Sequence, residues 1–207
     1  MKNMYSLMLS EAVVREVDAL AQKRGQTRSA LVNEILADYL SLVTPEKRIN
    51  NIFGEVERLF SALGLPVTRV DRANTLAVRR ELEFPYRPTI NYEVELLRSV
   101  NDGTFGVLRV GYRTTSMKLL SFLYAFFGEV ERVERLYGKG DKIGYETTGA
   151  CWSRTLTLPS TSADLGQAIT DYVQFLDAQM KRALASGVIS GLDEAYINHR
   201  RMGKLII

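Results

Sequence analysis

The stretch from Tyr5 to Leu40 reads YSLMLSEAVVREVDALAQKRGQTRSALVNEILADYL, and its apolar residues change period within a few positions. From Met4 to Leu9 neighbours alternate, with Tyr5, Leu7 and Leu9 of one parity and Met4, Ser6 and Met8 of the other. Successive side chains of an extended chain point to opposite faces, so this alternation predicts a strand. From Glu11 the apolar positions Val13, Val17, Leu20 and Ala21 follow a helical period. Ser10 is placed to cap that helix, and Gly25, just after the cations Lys23 and Arg24, to end it. The spacing therefore predicts a first helix over 11–24. Thr27 offers a second cap, and Leu31, Ile35, Leu36, Tyr39, Leu40 and Val43 mark a second helix that ends before Thr44-Pro45. A lone strand does not stand in water, and a strand with two helices buries too little surface by itself. Oligomerisation is the expected remedy, with the strand pairing across a two-fold axis.

This order of strand, helix, short turn and helix resembles the ribbon-helix-helix DNA-binding proteins, the group that includes the Arc, MetJ and CopG repressors. The resemblance covers residues 3–43 and rests on the alternating front, the Leu9-Ser10-Glu11 helix start, the Leu20-Ala21 to Gly25 helix end and the Thr27-Arg28-Ser29 start of the second helix. It implies an intertwined dimer whose two strands form an antiparallel ribbon in the major groove of double-stranded DNA. On that model Tyr5, Leu7, Leu9, Leu31 and Ile35 face the dimer core, while Met4, Ser6 and Met8 face the bases. Ser6 alone of those three carries a hydrogen-bonding side chain, so direct base readout per subunit is weak. Lys2 at the ribbon's end, and Thr27, Arg28 and Ser29 at the start of helix two, would hold phosphate oxygens. A helix N-terminus suits that task because its first amides are unpaired and carry partial positive charge. The plainer readings are a solvated ribbon face for Met4, Ser6 and Met8 and a simple N-cap for Thr27.

The remainder reads as a connecting helix over 44–64 and an α+β module over 65–207, following the ribbon-helix-helix unit of residues 1–43. Thr44-Pro45 starts the connector, Ile49, Ile52, Phe53, Val56, Leu59, Phe60 and Leu63 supply its apolar stripe, and Gly64 ends it. Strand-like runs begin at Asn74, Ile90, Phe105 and Cys151, and Asn101-Asp102-Gly103 predicts a hairpin between the second and third. A helix is expected from Ser116 to about Gly138, a glycine-spaced loop over 138–149, and a closing helix over 162–186. The expected module is an antiparallel sheet of four or five strands with helices on one face. Arg79, Arg80, Arg87, Arg109 and Arg113 on or beside the strands are mixed with Glu81, Glu93 and Glu95, a pattern expected of cross-strand ion pairs.

Composition narrows the function class. Of 207 residues 46% are hydrophobic and 25% charged, ordinary globular usage, and the net charge of +3 announces no strong field for nucleic acid. The single cysteine, Cys151, and single histidine, His199, leave no set of thiolates or imidazoles for a metal centre. No glycine-rich phosphate loop or nucleophile motif is present, so neither an enzyme nor a cofactor is expected. No run is long enough to span a bilayer and no signal-peptide layout opens the chain, which leads to the expectation of a cytoplasmic protein that uses no membrane. The resemblance then implies a DNA-binding transcriptional regulator, a repressor, working as a homodimer or tetramer. The alternatives are a dimerising structural or interaction protein, an accessory DNA protein of a mobile element, or an antitoxin.

Overall fold

The computed structural model describes residues 6–40, 42–70, 74–138, 143–158, 164–202 and 207. The chain divides into two compact units, Met1–Arg48 and Ile49–Ile207.

The first unit holds α1 (Glu11–Lys23) and α2 (Arg28–Tyr39). Their caps are the expected ones: Ser10 Oγ accepts from the Val13 amide at 3.4 Å and Thr27 Oγ1 from the Ala30 amide at 3.3 Å. Gly25 turns the chain between them at φ +62°, a conformation costly for any residue with a Cβ. The core of this pair is small, with Val17, Ala21 and Leu31 buried and Leu20 and Val32 packed beside them. Two expectations need correction. The first described element is a helix, not a strand: Ser6 to Leu9 form no regular element, and Met4 and Tyr5 lie outside the described residues. Alternation supplies no hydrogen-bonding neighbour, and the sheet formed by the described residues does not include Ser6 to Leu9. Helix α2 also stops earlier than its apolar residues suggest, with Leu40 as its C-cap and Leu42 and Val43 beyond it.

The helix α3 (Pro45–Ala62) begins as the Thr44-Pro45 pair requires, Thr44 Oγ1 accepting from the Lys47 amide at 3.2 Å. Beyond it the described residues form six strands: β1 (Val67–Arg69), β2 (Thr75–Glu81), β3 (Thr89–Asn101), β4 (Thr104–Arg113), β5 (Tyr145–Thr148) and β6 (Cys151–Thr157). They make one antiparallel sheet in the order β1-β2-β3-β4-β6-β5. Three helices complete the unit: α4 (Met117–Tyr137), α5 (Leu165–Ser186) and α6 (Leu192–Arg201). The chain is thus α+β, with six helices and a six-stranded antiparallel sheet among the described residues.

The β3–β4 hairpin turns at Asp102 and Gly103, both at positive φ (49° and 81°), as Asn101-Asp102-Gly103 predicts. Along β3, Ile90, Tyr92, Val94 and Leu96 are buried while Asn91, Glu93 and Glu95 are half-buried on the other face. The buried face joins one core with residues of α3 to α6, among them Phe53, Phe127, Tyr172 and Tyr196. Gly106 permits close strand approach there, since a Cβ would sit 2.6 Å from the Glu95 carbonyl oxygen. Strands β1 and β5 and helix α6 were not expected, and β5 lies inside the stretch read as a loop. It is a four-residue edge strand with no buried side chain, so alternation had nothing to display among the flanking glycines.

Inside this core sits a charge cluster. Glu134 of α4 and Arg154 of β6 are both about 1% exposed, with Arg154 Nε 3.2 Å from Glu134 Oε2. Tyr172 Oη donates to Glu134 Oε1 at 2.6 Å and Tyr145 Oη to Oε2 at 2.7 Å. The Arg154 guanidinium also lies 4.6 Å from the Tyr172 ring centre and donates to the main-chain oxygen of Ile207. Burial, aided by the Glu134 charge, holds the Tyr145 phenol well above its ordinary range.

Candidate nucleic-acid interface

The start of α2 is open to solvent, with Thr27, Arg28, Ser29 and Ala30 all exposed. The Thr27 hydroxyl does what an N-cap does, and the first-turn amides of Arg28 and Ser29 precede any intrahelical partner. The Arg28 side chain, though exposed, is already engaged. Its Nε and Nη2 each lie 2.5 Å from one carboxylate oxygen of Asp18, a fork-to-fork pair between α1 and α2. That hydrogen-bonded pair holds the Asp18 carboxyl below its ordinary range and raises Arg28 above its own. Arg24 is likewise engaged, with Nη1 3.1 Å from Glu34 Oε1, and Gln26 donates to the other oxygen of Glu34 at 3.1 Å. A phosphate at this helix start would meet backbone amides and the Ser29 hydroxyl directly, and would take Arg28 only in competition with Asp18.

Asp18 and Glu34 were not expected at this site. Each faces its arginine from ten positions away in sequence, on the other helix, where no short-range spacing reveals it.

The residues assigned to the ribbon are open as well. Ser6 is exposed, Met8 is fully exposed, and Leu7 and Leu9 are 63% and 44% exposed; Lys2, Met4 and Tyr5 fall outside the described residues. Of the remaining residues assigned to a dimer core, Leu31 is already enclosed by Val17 and Ala21 of its own unit, whereas Ile35 is 46% exposed. Ile35 belongs to a wider apolar surface with Leu36, Tyr39 and Leu40 of α2, all exposed. At the helical rotation per residue, the arc from Leu31 through Ile35, Tyr39, Val32 and Leu36 to Leu40 spans about half the helix circumference. Leu31 is buried and Val32 is partly covered by the small core, while Ile35, Leu36, Tyr39 and Leu40 stay exposed.

No protein-family model matches this chain, and no curated protein or solved structure matches it.

In the larger unit the arginines on the sheet separate into two groups. Arg109 pairs with Glu95 at 2.5 Å, Arg80 with Asp177 at 2.8 Å, and Arg79 bonds the Thr89 hydroxyl at 3.3 Å. Lys181 shares the Asp177 carboxylate at 2.9 Å. Arg87 and Arg113 have no carboxylate partner among the described residues. Cys151 is half-buried, and burial pushes its thiol up, away from thiolate reactivity. Among the described residues no helix is long and apolar enough to cross a membrane.

Proposed function

We propose that this chain is a homodimeric DNA-binding transcriptional regulator, a repressor, in which the alternating segment ahead of α1 pairs between two chains as a β-ribbon that reads the major groove. The observation that carries this is the uncovered apolar arc of α2 together with exposed Leu7 and Leu9. A two-helix unit with so small a buried cluster, Val17, Ala21 and Leu31, gains by covering such a surface, and a second copy of the same arc covers it by two-fold symmetry. Ribbon formation then gives Ser6 to Leu9 the hydrogen-bonding neighbour that they need. Thr27, Ser29 and the α2 amides position the ribbon on phosphates, and Ser6 reads base edges.

Sedimentation and a salt-titrated DNA-binding assay on the full chain test this together. A dimer whose affinity falls steeply with salt is expected. Asp18→Asn frees Arg28 and removes a negative charge, so it should tighten binding to every DNA sequence. Arg28→Ala should weaken all sequences alike and lower the salt slope by about one, whereas Ser6→Ala should erode the preference for one sequence over another. A second reading is favoured by one observation, the engagement of Arg24 and Arg28 by carboxylates: a dimerising interaction protein without DNA affinity. A dimer that binds no DNA at any salt establishes that reading and removes the first.

A further inference from the structure

The two sequence segments that flank β3 and β4 at one end of the sheet, residues 84–88 and 113–118, enclose an open cavity of about 850 Å³. That volume lies within the range of small-molecule sites, roughly 300–1,000 Å³. Its two lining cations, Arg113 and Lys118, have no carboxylate partner among the described residues, and no acidic residue lines it. This contrasts with Arg80 and Arg109 on the same sheet, each neutralised by a carboxylate. Three hydroxyls, of Thr114, Thr115 and Ser116, sit between the two cations in sequence and line the same cavity. Ser116 is occupied as the α4 cap, its oxygen accepting from the Leu119 amide at 3.3 Å, and Thr114 accepts from the Ser116 amide at 3.1 Å. Thr115, on the lining and exposed, has no such partner among the described residues.

The other lining residues are largely apolar. Phe84 and Pro88 are half-buried, and the Tyr86 ring is fully exposed beside them. Two unneutralised cations with hydroxyl donors suit a group that carries nearly two negative charges and three acceptor oxygens, as a phosphomonoester does. Ring and proline faces suit a planar apolar body, and a guanidinium adds affinity for its face. We propose that this cavity binds a small aromatic phosphomonoester, with the phosphate between Arg113 and Lys118 and the ring against Phe84, Tyr86 and Pro88.

Titration calorimetry on the full chain, with phenyl phosphate and adenosine 5′-monophosphate as probes, tests this. At least one of the two should bind, with inorganic phosphate and adenosine each at least tenfold weaker. Arg113→Ala with Lys118→Ala should reduce the affinity of the bound probe tenfold or more. Tyr86→Ser should weaken that probe while leaving inorganic phosphate unchanged. All three residues are exposed, so circular dichroism should show each variant folded. Failure of both probes to bind at millimolar concentration, or binding undiminished in the double variant, overturns the proposal. The outcome is independent of the regulator reading, because a chain without DNA affinity would still bind the probe.

Discussion

Glu134→Ala is expected to lower the stability of the larger unit by about 3–5 kcal/mol, the usual cost of removing one partner of a buried ion pair. The substitution strands the Arg154 guanidinium, itself about 1% exposed, and removes the acceptor of two tyrosine hydroxyls. Chemical denaturation followed by tryptophan emission measures it cleanly. The single tryptophan, Trp152, is buried on β6 two residues from Arg154 and stacked 4.6 Å from Phe127, so its signal belongs to this unit. Adding Arg154→Met should recover part of the loss, since a buried charge without its partner costs more than an apolar pair of similar volume. A loss below about 1 kcal/mol, or a double variant worse than Glu134→Ala alone, would show that the cluster is not coupled as its geometry implies. Alkali should attack the same core. Tyr112 and Tyr196 are pushed up to about 12, chiefly by burial. A folded value above the unfolded one gives stability that is complete below the ordinary phenol value of 10.0 and lost as pH rises towards 12. Denaturation midpoints should therefore fall across that window.

The sequence discloses what is decided within a few residues. Ser10, Thr27 and Thr44 announce helix starts because an N-cap is a contact three residues long, and Asn101-Asp102-Gly103 announces a hairpin because its turn demands positive φ. Longer-range facts are silent. Glu134 reads as one more charge on an amphipathic helix, and nothing near it in sequence says that Arg154 and Tyr172 will enclose it. Arg28 reads as an open phosphate ligand until the fold sets Asp18 against it. Arg113 reads as one of five similar arginines on or beside the strands, until the fold pairs Arg109 with Glu95 and sets Arg113 beside residues 84–88. Strand β5 escapes for a different reason: a four-residue edge strand with one half-buried residue, Tyr145, and three exposed ones is too short to show alternation in its sequence.

On the proposed function, Ile35→Lys is expected to convert the proposed dimer to a folded monomer and to weaken the proposed DNA binding by at least about thirtyfold, the lower end of the 2–5 kcal/mol for leaving a charge unpaired in a buried interface. Within one chain this position is half-open to solvent, so a lysine there should leave the fold near its original stability. Within the proposed symmetric pair the same lysine would be set against its own copy or the apolar arc of Leu36 and Tyr39. Leu31→Ala provides the contrast. Leu31 is fully buried between α1 and α2, so its truncation should unfold the small unit, with loss of helical signal rather than clean dissociation. Sedimentation at micromolar concentration, circular dichroism and the salt-titrated DNA assay separate the two cases. An Ile35→Lys chain that sediments as the parent does and binds DNA with the same affinity would mean that the exposed arc of α2 is not the two-fold surface. The ribbon would then lose its symmetry mate, because the same dimer must supply both.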